Sequence, residues 1–403
     1  MKYIVILADG MADEPLVSLN GMTPLEYAKT PAMDALASKG IIGMVRTVPL
    51  GMKPGSDVAN LSVLGYDPAV SYSGRSPLEA LSVGVPMEST DVIFRCNLVT
   101  LSESEPYEQK TIIDHSSGEI STQDADILMD AVREAFSSDA FSFYTGTSYR
   151  HILVWKNGTE LDLEPPHDHL GEQIGEHLPK NDLFRQMMMK SFDVLNNHPL
   201  NVQRAAQGLN KANSVWFWGA GTKPSLCDFR EKTGLSGAMI SAVDLLKGIA
   251  VGAGMEVIHV PGANGSLHTN YSGKAQAAIG ALLNKNHDFV YVHIEAPDEM
   301  GHQGSIEHKV QSIEFVDNQV VAPIIQAMDE FGEPYRVLVL PDHPTPIRCR
   351  THTTDPVPFL LYDSRQQRRK IARYSEKEAQ DTGVYIADGY KLIEQLIGGE
   401  NYG

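Results

Sequence analysis

The chain has 403 residues, of which 42% are hydrophobic and 21% are charged, a composition ordinary for a globular protein of two or three domains. Its formal net charge of −18 excludes a general basic surface for nucleic acid or an anionic membrane. Three widely spaced cysteines argue against a disulfide framework or a zinc ribbon, and no apolar run reaches the roughly 20 residues of a membrane span. We therefore expect a cytoplasmic protein without a signal peptide.

Short, nearly continuous apolar runs predict strands that are buried on both faces of a mostly parallel sheet. These runs lie at residues 3–8, 215–218, 256–260, 289–294, 336–340 and 357–362. Helical patterns alternate with them at residues 23–39, 183–209, 236–254, 271–284, 305–331 and 388–397. Such alternation predicts a doubly wound α/β layer.

The middle of the chain predicts a different architecture. Strand patterns at 92–101, 109–114 and 141–155 surround one helical pattern near 124–136, and a loop rich in proline, histidine and acidic residues follows at 162–169. We interpret residues 76–205 as an α+β domain inserted into a core that is formed by residues 1–75 and 206–403.

Side chains that can hold metal ions follow three of the predicted core strands. They are Asp9 after the first strand, Asp298 and His302 after the fourth, and Asp342, His343 and His352 between the last two. Because ligands bind beyond the carboxyl ends of strands in an open α/β sheet, we expect these side chains to converge. The i, i+4 spacing of Asp298 and His302 suits one ion, and adjacent Asp342 and His343 can face two ions. Oxygen and imidazole ligands suit Mn, Zn, Co or Mg.

A candidate nucleophile, Ser56, lies in Pro54-Gly55-Ser56-Asp57, a sequence that predicts a tight turn with an exposed hydroxyl. Coordination to a divalent ion lowers the pKa of such a hydroxyl and makes it a nucleophile. Each element also has an ordinary explanation, because strand-end aspartates cap helices and lone histidines are common on surfaces. The joint pattern favours metal-assisted phosphoryl transfer.

A collinear series of motifs runs along the chain. It comprises Ala8-Asp9-Gly10-Met11, residues 54–67, residues 73–80, Ser148-Tyr149-Arg150-His151, Pro166-His167-Asp168, Asn196-Asn197-His198-Pro199, Glu295-Ala296-Pro297-Asp298 and His352-Thr353-Thr354. In these motifs the chain resembles the alkaline phosphatase superfamily, and within it the cofactor-independent phosphoglycerate mutases of the archaeal type.

The resemblance implies that Ser56 is phosphorylated at a site with two divalent metal ions and without 2,3-bisphosphoglycerate. It implies one ion held by Asp9, Ser56, Asp342 and His343, and a second held by Asp298, His302 and His352. It also implies that Lys247 contacts the transferring phosphate and that the inserted domain closes over a small phosphorylated substrate. The candidate substrate contacts are Arg75, Arg95, Asp114, His115, Arg150, His151, His167 and Asp168.

One segment departs from the archaeal pattern. Trp218 precedes Gly219-Ala220-Gly221 where archaeal mutases tend to have arginine, and residues 240–247 and 340–346 resemble a bacterial branch with a proposed homoserine kinase role.

The main hypothesis is interconversion of 2-phosphoglycerate and 3-phosphoglycerate by a monomer or small homo-oligomer. The alternatives are a homoserine kinase-type phosphotransferase, although the sequence lacks a P-loop motif for ATP, and a metal-dependent phosphomonoesterase. A non-catalytic binding protein is disfavoured because every metal-ligand position is filled.

Overall fold

The structure of the protein is a computed structural model that describes residues 1–366 and 373–398. The chain forms two compact units. The core unit comprises Met1–Tyr72 and Ser225–Gly403, and the inserted unit comprises Ser73–Pro224.

Strands lie in both units. In chain order they are β1 Lys2–Ala8, β2 Ile41–Val45, β3 Val92–Leu101, β4 Ile112–Asp114, β5 Phe141–Tyr144, β6 Arg150–Trp155, β7 Ser214–Thr222, β8 Gly237–Ile240, β9 Glu256–Val257, β10 Phe289–Ile294, β11 Tyr335–Leu340, β12 Val357–Asp363 and β13 Tyr385–Ile386.

The α-helices are, in chain order, α1 Pro24–Tyr27, α2 Pro31–Ala37, α3 Ser56–Val63, α4 Pro68–Ser71, α5 Arg75–Ser82, α6 Thr122–Phe136, α7 Asp182–Leu195, α8 Pro199–Ala206, α9 Phe229–Thr233, α10 Asp244–Gly252, α11 Tyr271–Leu283, α12 Ala296–Gln303, α13 Ile306–Val316, α14 Ala322–Phe331, α15 Glu376–Asp381 and α16 Leu392–Gly398. Short 3-10 turns occur at Val17–Leu19, Tyr107–Gln109, Pro166–His169, Ile174–His177 and Gly389–Lys391, and a π-helical turn, Asp317–Val321, joins α13 to α14.

The core unit is built on an eight-stranded sheet with the order β13-β2-β12-β11-β1-β10-β8-β9. Only β12 runs against its neighbours, so the predicted mostly parallel sheet is confirmed. Alternate residues of β1, such as Ile4 and Ile6, pack in one large apolar cluster with residues of α2, α11, α13 and α14. The intervening Val5 and Leu7 are buried on the opposite face. Burial on both faces explains why these strands are continuous apolar runs.

The inserted unit has an antiparallel sheet in which β3 is central, so the predicted α+β architecture is confirmed. Strand β3 pairs with β6 and β7 along its length and with β4 at its end, and all its residues are buried. Aromatic contacts, such as Phe94 with Phe184 at 4.9 Å between ring centroids, pack helix α7 against the sheet.

The strand at 215–218 lies in a different sheet from the one predicted. Strand β7 pairs antiparallel with β3 in the inserted unit, so residues 206–224 lie in that unit rather than in the core. An apolar run such as Val215-Trp216-Phe217 can be buried in either sheet. Its partner strand is distant in the sequence, so the run itself does not specify which strand it pairs with.

Several element bounds also differ from the prediction. The pattern at 236–254 begins with strand β8, and only its second half is the helix α10. The pattern at 23–39 is two helices, because Pro24 and Pro31 each begin a new helix. Strands β9 and β4 are shorter than predicted, and β2 and α3 have no counterpart in the prediction. None of the helices within 1–366 and 373–398 is both long and apolar enough to span a bilayer.

Candidate active site

The register of the central strands brings the carboxyl ends of β1, β10 and β11 to one edge of the core sheet. Ala8 pairs with Ile294, and Leu7 pairs with Leu340, so β1, β10 and β11 end at the same level. The chain continues from these ends into Asp9, into helix α12 and into Asp342. The convergence predicted from the sequence therefore follows from the pairing of parallel strands.

A first cluster at this edge consists of Asp9, Asp342 and His343, whose ligand atoms lie within 4.8 Å of one another. His343 Nε2 lies 3.4 Å from Asp342 Oδ2 and 3.6 Å from Asp9 Oδ1. The backbone N–H groups of Gly10 and His343 donate to Asp342 Oδ1 at 3.1 and 2.9 Å. Asp9 Oδ1 is buried and accepts no hydrogen bond from any residue that the structure describes. An orphaned buried carboxylate oxygen beside a second carboxylate and an imidazole fits a divalent cation.

A second cluster consists of Asp298, His302 and His352. Asp298 and His302 are one turn apart on α12, with His302 Nε2 at 3.2 Å from Asp298 Oδ2. His352 Nε2 lies 3.4 Å from Asp298 Oδ1 and 3.0 Å from His302 Nε2. The ring of His343 stacks on that of His352 at 3.9 Å between centroids, and its nitrogen also falls within 4.8 Å of Asp298 and His352 ligand atoms. His343 therefore lies between two groups of ligands, as a two-metal site requires.

The electrostatics of the two clusters fit bound cations. Burial, together with the negative charges of Asp342 and Asp298, raises the pKa of Asp9 well above its ordinary value. Burial lowers the pKa of His343, which keeps the imidazole neutral and able to bind a metal. The hydrogen bond to Asp298 raises the pKa of His302 to about 9. A divalent ion replaces such protons when it binds, because its ligands must be deprotonated.

Ser56 is the first residue of helix α3, which corrects the predicted tight turn. Its Oγ lies 3.3 Å from His343 Nε2, so the hydroxyl belongs to the first cluster. The first N–H groups of a helix lack intrahelical partners and favour a phosphate placed there. Gly55 precedes Ser56 in extended conformation, and a Cβ added there would lie 2.6 Å from Asp57 Oδ1, so a larger residue would displace the Asp57 side chain.

Lys247 lies on α10, which packs against α3 in the core unit. Its Nζ is 3.0 Å from Asp244 Oδ1, and its side chain is 16% exposed. A largely buried lysine on the helix beside that of Ser56 is compatible with the predicted phosphate contact.

Residues that the sequence prediction omitted hold the ligands in place. Asn60 donates from Nδ2 to the Ser56 carbonyl at 2.8 Å and to Asp342 Oδ2 at 2.9 Å. His293 lies on β10 with Nε2 at 3.0 Å from Asp9 Oδ2 and Nδ1 at 3.1 Å from Ser241 Oγ. The available signal for His293 was a histidine inside a continuous apolar strand. The sequence around Asn60 contained no comparable signal, because a single asparagine in a helix is common and does not indicate a particular role.

Several candidate substrate contacts form a continuous aromatic and cationic group in the inserted unit. The guanidinium carbon of Arg95 lies 4.6 Å from the ring centroid of Trp218, and the ring of His167 lies 5.3 Å from that of Trp218. His167 in turn contacts His115 at 6.0 Å between centroids. An arginine from β3 therefore covers the tryptophan that departs from the archaeal pattern.

Arg150 joins this group through Tyr149, whose ring lies 5.3 Å from the Arg150 guanidinium carbon and 5.7 Å from the His115 ring. Arg75 and Arg95 both form ion pairs with Glu79. Burial would raise the pKa of Glu79, but these two arginines outweigh it and hold the pKa below its ordinary value.

Three candidates have other surroundings. Asp114 accepts hydrogen bonds from the N–H groups of Ser116 and Gly118 at 2.8 and 2.6 Å, so its carboxylate stabilises a turn. His151 is fully buried and accepts from the Gly146 N–H at 3.2 Å, in the turn between β5 and β6. Asp168 is exposed and lies 3.7 Å from the neighbouring His167.

Comparisons with known proteins point to one family. A family model described as 2,3-bisphosphoglycerate-independent phosphoglycerate mutase matches residues 37–201. The chain is 50% identical to a probable 2,3-bisphosphoglycerate-independent phosphoglycerate mutase of Geobacter sulfurreducens, over 98% of this chain and 100% of that protein. It is also 50% identical to the 2,3-bisphosphoglycerate-independent phosphoglycerate mutase of Methanosarcina barkeri, over 98% of this chain and 99% of that protein.

Solved structures are similar over the same extent. A protein of Pyrococcus horikoshii has a TM-score of 0.81 at 30% identity, covering 100% of this chain and 99% of that one. The cofactor-independent phosphoglycerate mutase of Thermoplasma acidophilum has a TM-score of 0.67 at 26% identity, with 100% of both chains covered. The chain therefore belongs to the family of 2,3-bisphosphoglycerate-independent phosphoglycerate mutases.

Proposed function

We propose that the protein interconverts 2-phosphoglycerate and 3-phosphoglycerate through a phosphoserine at Ser56. The observation that carries the proposal is the position of the Ser56 hydroxyl, 3.3 Å from His343 Nε2 and at the N-terminus of a helix. Asp9, Ser56, Asp342 and His343 would hold one divalent ion, and Asp298, His302 and His352 a second. When bound, these ions lower the pKa of the serine hydroxyl and neutralise charge on the phosphoryl oxygens.

The residues of the chain have separable roles in this reaction. Ser56 Oγ forms a bond to phosphorus while the bond from phosphorus to the glycerate oxygen breaks, and that oxygen takes up a proton. In the second step the other glycerate hydroxyl forms a bond to phosphorus while the bond from phosphorus to Ser56 Oγ breaks, and the proton lost by that hydroxyl returns to the serine oxygen. Lys247 and the first backbone N–H groups of α3, those of Ser56 and Asp57, would stabilise the charge on the transferring group.

Residues of the inserted unit are proposed to bind the glycerate portion. Arg150 is the strongest candidate, because it is exposed and a guanidinium forms paired hydrogen bonds with a carboxylate, whereas the guanidinium of Arg95 is already paired with Glu79. Arg95 lies beside Trp218, where archaeal mutases tend to have arginine, but Glu79 balances its charge. The mutase also requires that water be excluded while glycerate is retained, because water as the acceptor would give a phosphomonoesterase.

The direct test is an assay of the purified protein with Mn²⁺ and 3-phosphoglycerate, in which formation of 2-phosphoglycerate is detected, beside an assay with homoserine and ATP. We expect mutase turnover and no phosphohomoserine. Phosphorylation of homoserine without mutase activity would overturn the proposal.

A serine substitution tests the nucleophile. Ser56→Ala is expected to reduce kcat by at least about 1,000-fold, because no other hydroxyl replaces the attacking group. Ser62→Ala is the matched control, since Ser62 lies on the same helix, is buried, and its hydroxyl has no hydrogen-bond partner among the described residues. Full turnover in Ser56→Ala would exclude a phosphoserine at this position.

Three further properties remain predictions from the sequence. They are a cytoplasmic location, a monomeric or small homo-oligomeric state, and Mn, or alternatively Mg, Zn or Co, as the physiological ion.

A further inference from the structure

The inserted unit contains a second group of carboxylates and imidazoles, formed by Glu164, His169, Glu172 and His177. It lies in the irregular segment between β6 and α7, whose only helical parts are the 3-10 turns Pro166–His169 and Ile174–His177. None of these four residues belongs to the active site described above.

The four side chains form a closed ring of contacts. Glu164 Oε2 lies 3.0 Å from His169 Nε2 and 2.6 Å from His177 Nδ1. Glu172 Oε2 lies 2.9 Å from His169 Nδ1 and 3.1 Å from His177 Nε2. The two imidazole rings stack at 3.7 Å between centroids, with 23° between their planes. Each imidazole therefore faces a carboxylate at both nitrogens.

When both histidines are neutral, the ring has too few hydrogen-bond donors for its four contacts. A neutral imidazole carries one N–H, so two of them can donate only two of the four contacts. The other two contacts would place a nitrogen lone pair against a carboxylate oxygen. Protonating both histidines would supply the missing donors, but it would place two positive rings 3.7 Å apart.

A cation at one corner resolves the conflict. We propose that Glu164, His169 and His177, which each offer a ligand atom within 4.8 Å of the others, bind a divalent cation of the zinc type. The proposed ligand atoms are Glu164 Oε2 and the two nitrogens that it contacts, His169 Nε2 and His177 Nδ1. Both remaining imidazole N–H groups then donate to Glu172. A metal-bound histidine commonly donates its other N–H to a carboxylate in this way, and the mixture of imidazole and carboxylate suits Zn²⁺.

The surroundings allow an ion to enter and to keep a water ligand. The histidine side chains are only 17% and 19% exposed, whereas both carboxylates are 54% exposed. A groove of about 480 Å³ adjoins the group and is lined by Glu108, Glu172 and His177 among others. Three protein ligands leave one position of a tetrahedral ion open toward solvent.

The proposed ion would connect two separately anchored parts of the segment. The Glu164 carbonyl accepts from Trp216 Nε1 at 2.8 Å, and the Ile174 N–H donates to the Lys110 carbonyl at 2.8 Å. A metal bond from Glu164 to His177 would close the chain between these anchors. His167, a candidate substrate contact, lies within the closed loop, so the ion would act as a structural clip that positions it.

Zinc stoichiometry tests the proposal in the full-length protein. After chelation and dialysis against Zn²⁺, we expect three tightly bound equivalents in the wild type and two in His169→Gln/His177→Gln. Glu176→Gln is the matched control, because Glu176 is exposed on the same 3-10 turn and lies outside the ring, and it should bind three. Equal zinc content in the wild type and the double variant would overturn the proposal.

A second measurement covers the case in which the double variant misfolds. Glu164→Gln keeps the shape of the side chain and removes its charge, and it should weaken zinc binding at this site by more than about 10–100-fold, because that range applies to residues that only support a ligand. Hydrogen exchange supplies the structural readout, since Zn²⁺ should slow exchange of the 164–177 amides in the wild type and not in Glu164→Gln. If Zn²⁺ left the amide exchange rates of this segment unchanged in the wild type, that result would also contradict the proposal.

Discussion

Asp9 and Asp13 are buried on the same loop of the core unit, but their electrostatic surroundings differ. The Asp13 side chain is fully buried beside Lys309, whose Nζ lies at 2.7 Å, and the Ile347 N–H donates to both Asp13 oxygens at 3.3 and 3.2 Å. Asp9 instead faces Asp342 and Asp298, and its ion pairs within the described residues are with His293 and His343. The loop therefore contains one carboxylate that the chain itself neutralises and one that it does not.

This difference separates a structural role from a functional one. A buried carboxylate with a lysine and further hydrogen bonds is complete in the metal-free protein. A group of three aspartates faced by imidazoles lacks such a partner and fits bound cations. The fold holds the group together because strand ends fix the positions of Asp9, Asp298 and Asp342. The chain thus concentrates unneutralised carboxylates at the candidate active site.

The largest expected change in the free energy of unfolding follows from removing the lysine that neutralises Asp13. Lys309→Met should lower the free energy of unfolding by about 3–5 kcal/mol, because it leaves Asp13 charged and buried without a cation. Denaturant unfolding in the presence of a chelator measures this loss without a contribution from bound ions. Lys377→Met is the control, since Lys377 pairs with Asp381 on the exposed surface, where such pairs contribute little. A loss below about 1 kcal/mol for Lys309→Met would show that the lysine is not needed to neutralise Asp13.

A smaller effect concerns Glu376, which lies beside the same loop and accepts from the Asp13 N–H at 3.2 Å and from Thr23 Oγ1 at 2.7 Å. Burial raises its pKa from 4.5 to about 7. The folded protein therefore holds this proton more tightly than the unfolded chain, so the stabilisation is complete below pH 4.5 and is lost as pH rises through about 7.

Glu376→Gln should remove this part of the pH dependence. Between pH 4.5 and 7 the wild type should lose about 2 kcal/mol relative to the variant, a value discounted because the Glu376 residue as a whole is only half-buried. Unfolding curves measured in parallel across this range give the difference. Identical slopes in both proteins would mean that Glu376 is ionised in the fold at pH 5.

The smallest expected change in the free energy of unfolding is a gain rather than a loss. In the metal-free protein, Asp9→Asn should raise the free energy of unfolding by about 1 kcal/mol, because it removes one of three clustered acidic groups. It should also abolish most of the increase in Tm that Mn²⁺ gives the wild type, since that increase depends on binding to the folded state. Asp13→Asn is the matched control on the same loop, and it should lose stability and keep the Mn²⁺ response. A metal-free Asp9→Asn protein less stable than the wild type would contradict the contrast between the two carboxylates.

The catalytic site was more predictable than the inserted unit. Its ligands follow strands whose apolar runs are long and buried on both faces, and parallel pairing then brings the strand ends together, as Asp9 and Asp342 show. In the inserted unit the candidates lie on antiparallel strands and loops, where contacts depend on register. Of those candidates, Arg95, His115, Arg150 and His167 form one group, while Asp114 and His151 serve local turns.

By itself the sequence determined the kind of chemistry, because residue types and their order along the chain specify which ligands follow which strands. It also determined the α/β class through the alternation of apolar runs with helical patterns. Only the tertiary structure decided that β7 pairs with β3, that His293 and Asn60 hold Asp9 and Asp342, and that Glu164 meets His169 and His177. The first two depend on contacts between distant segments, and the third on how an irregular segment folds back on itself. The local pattern of residues records neither kind of contact.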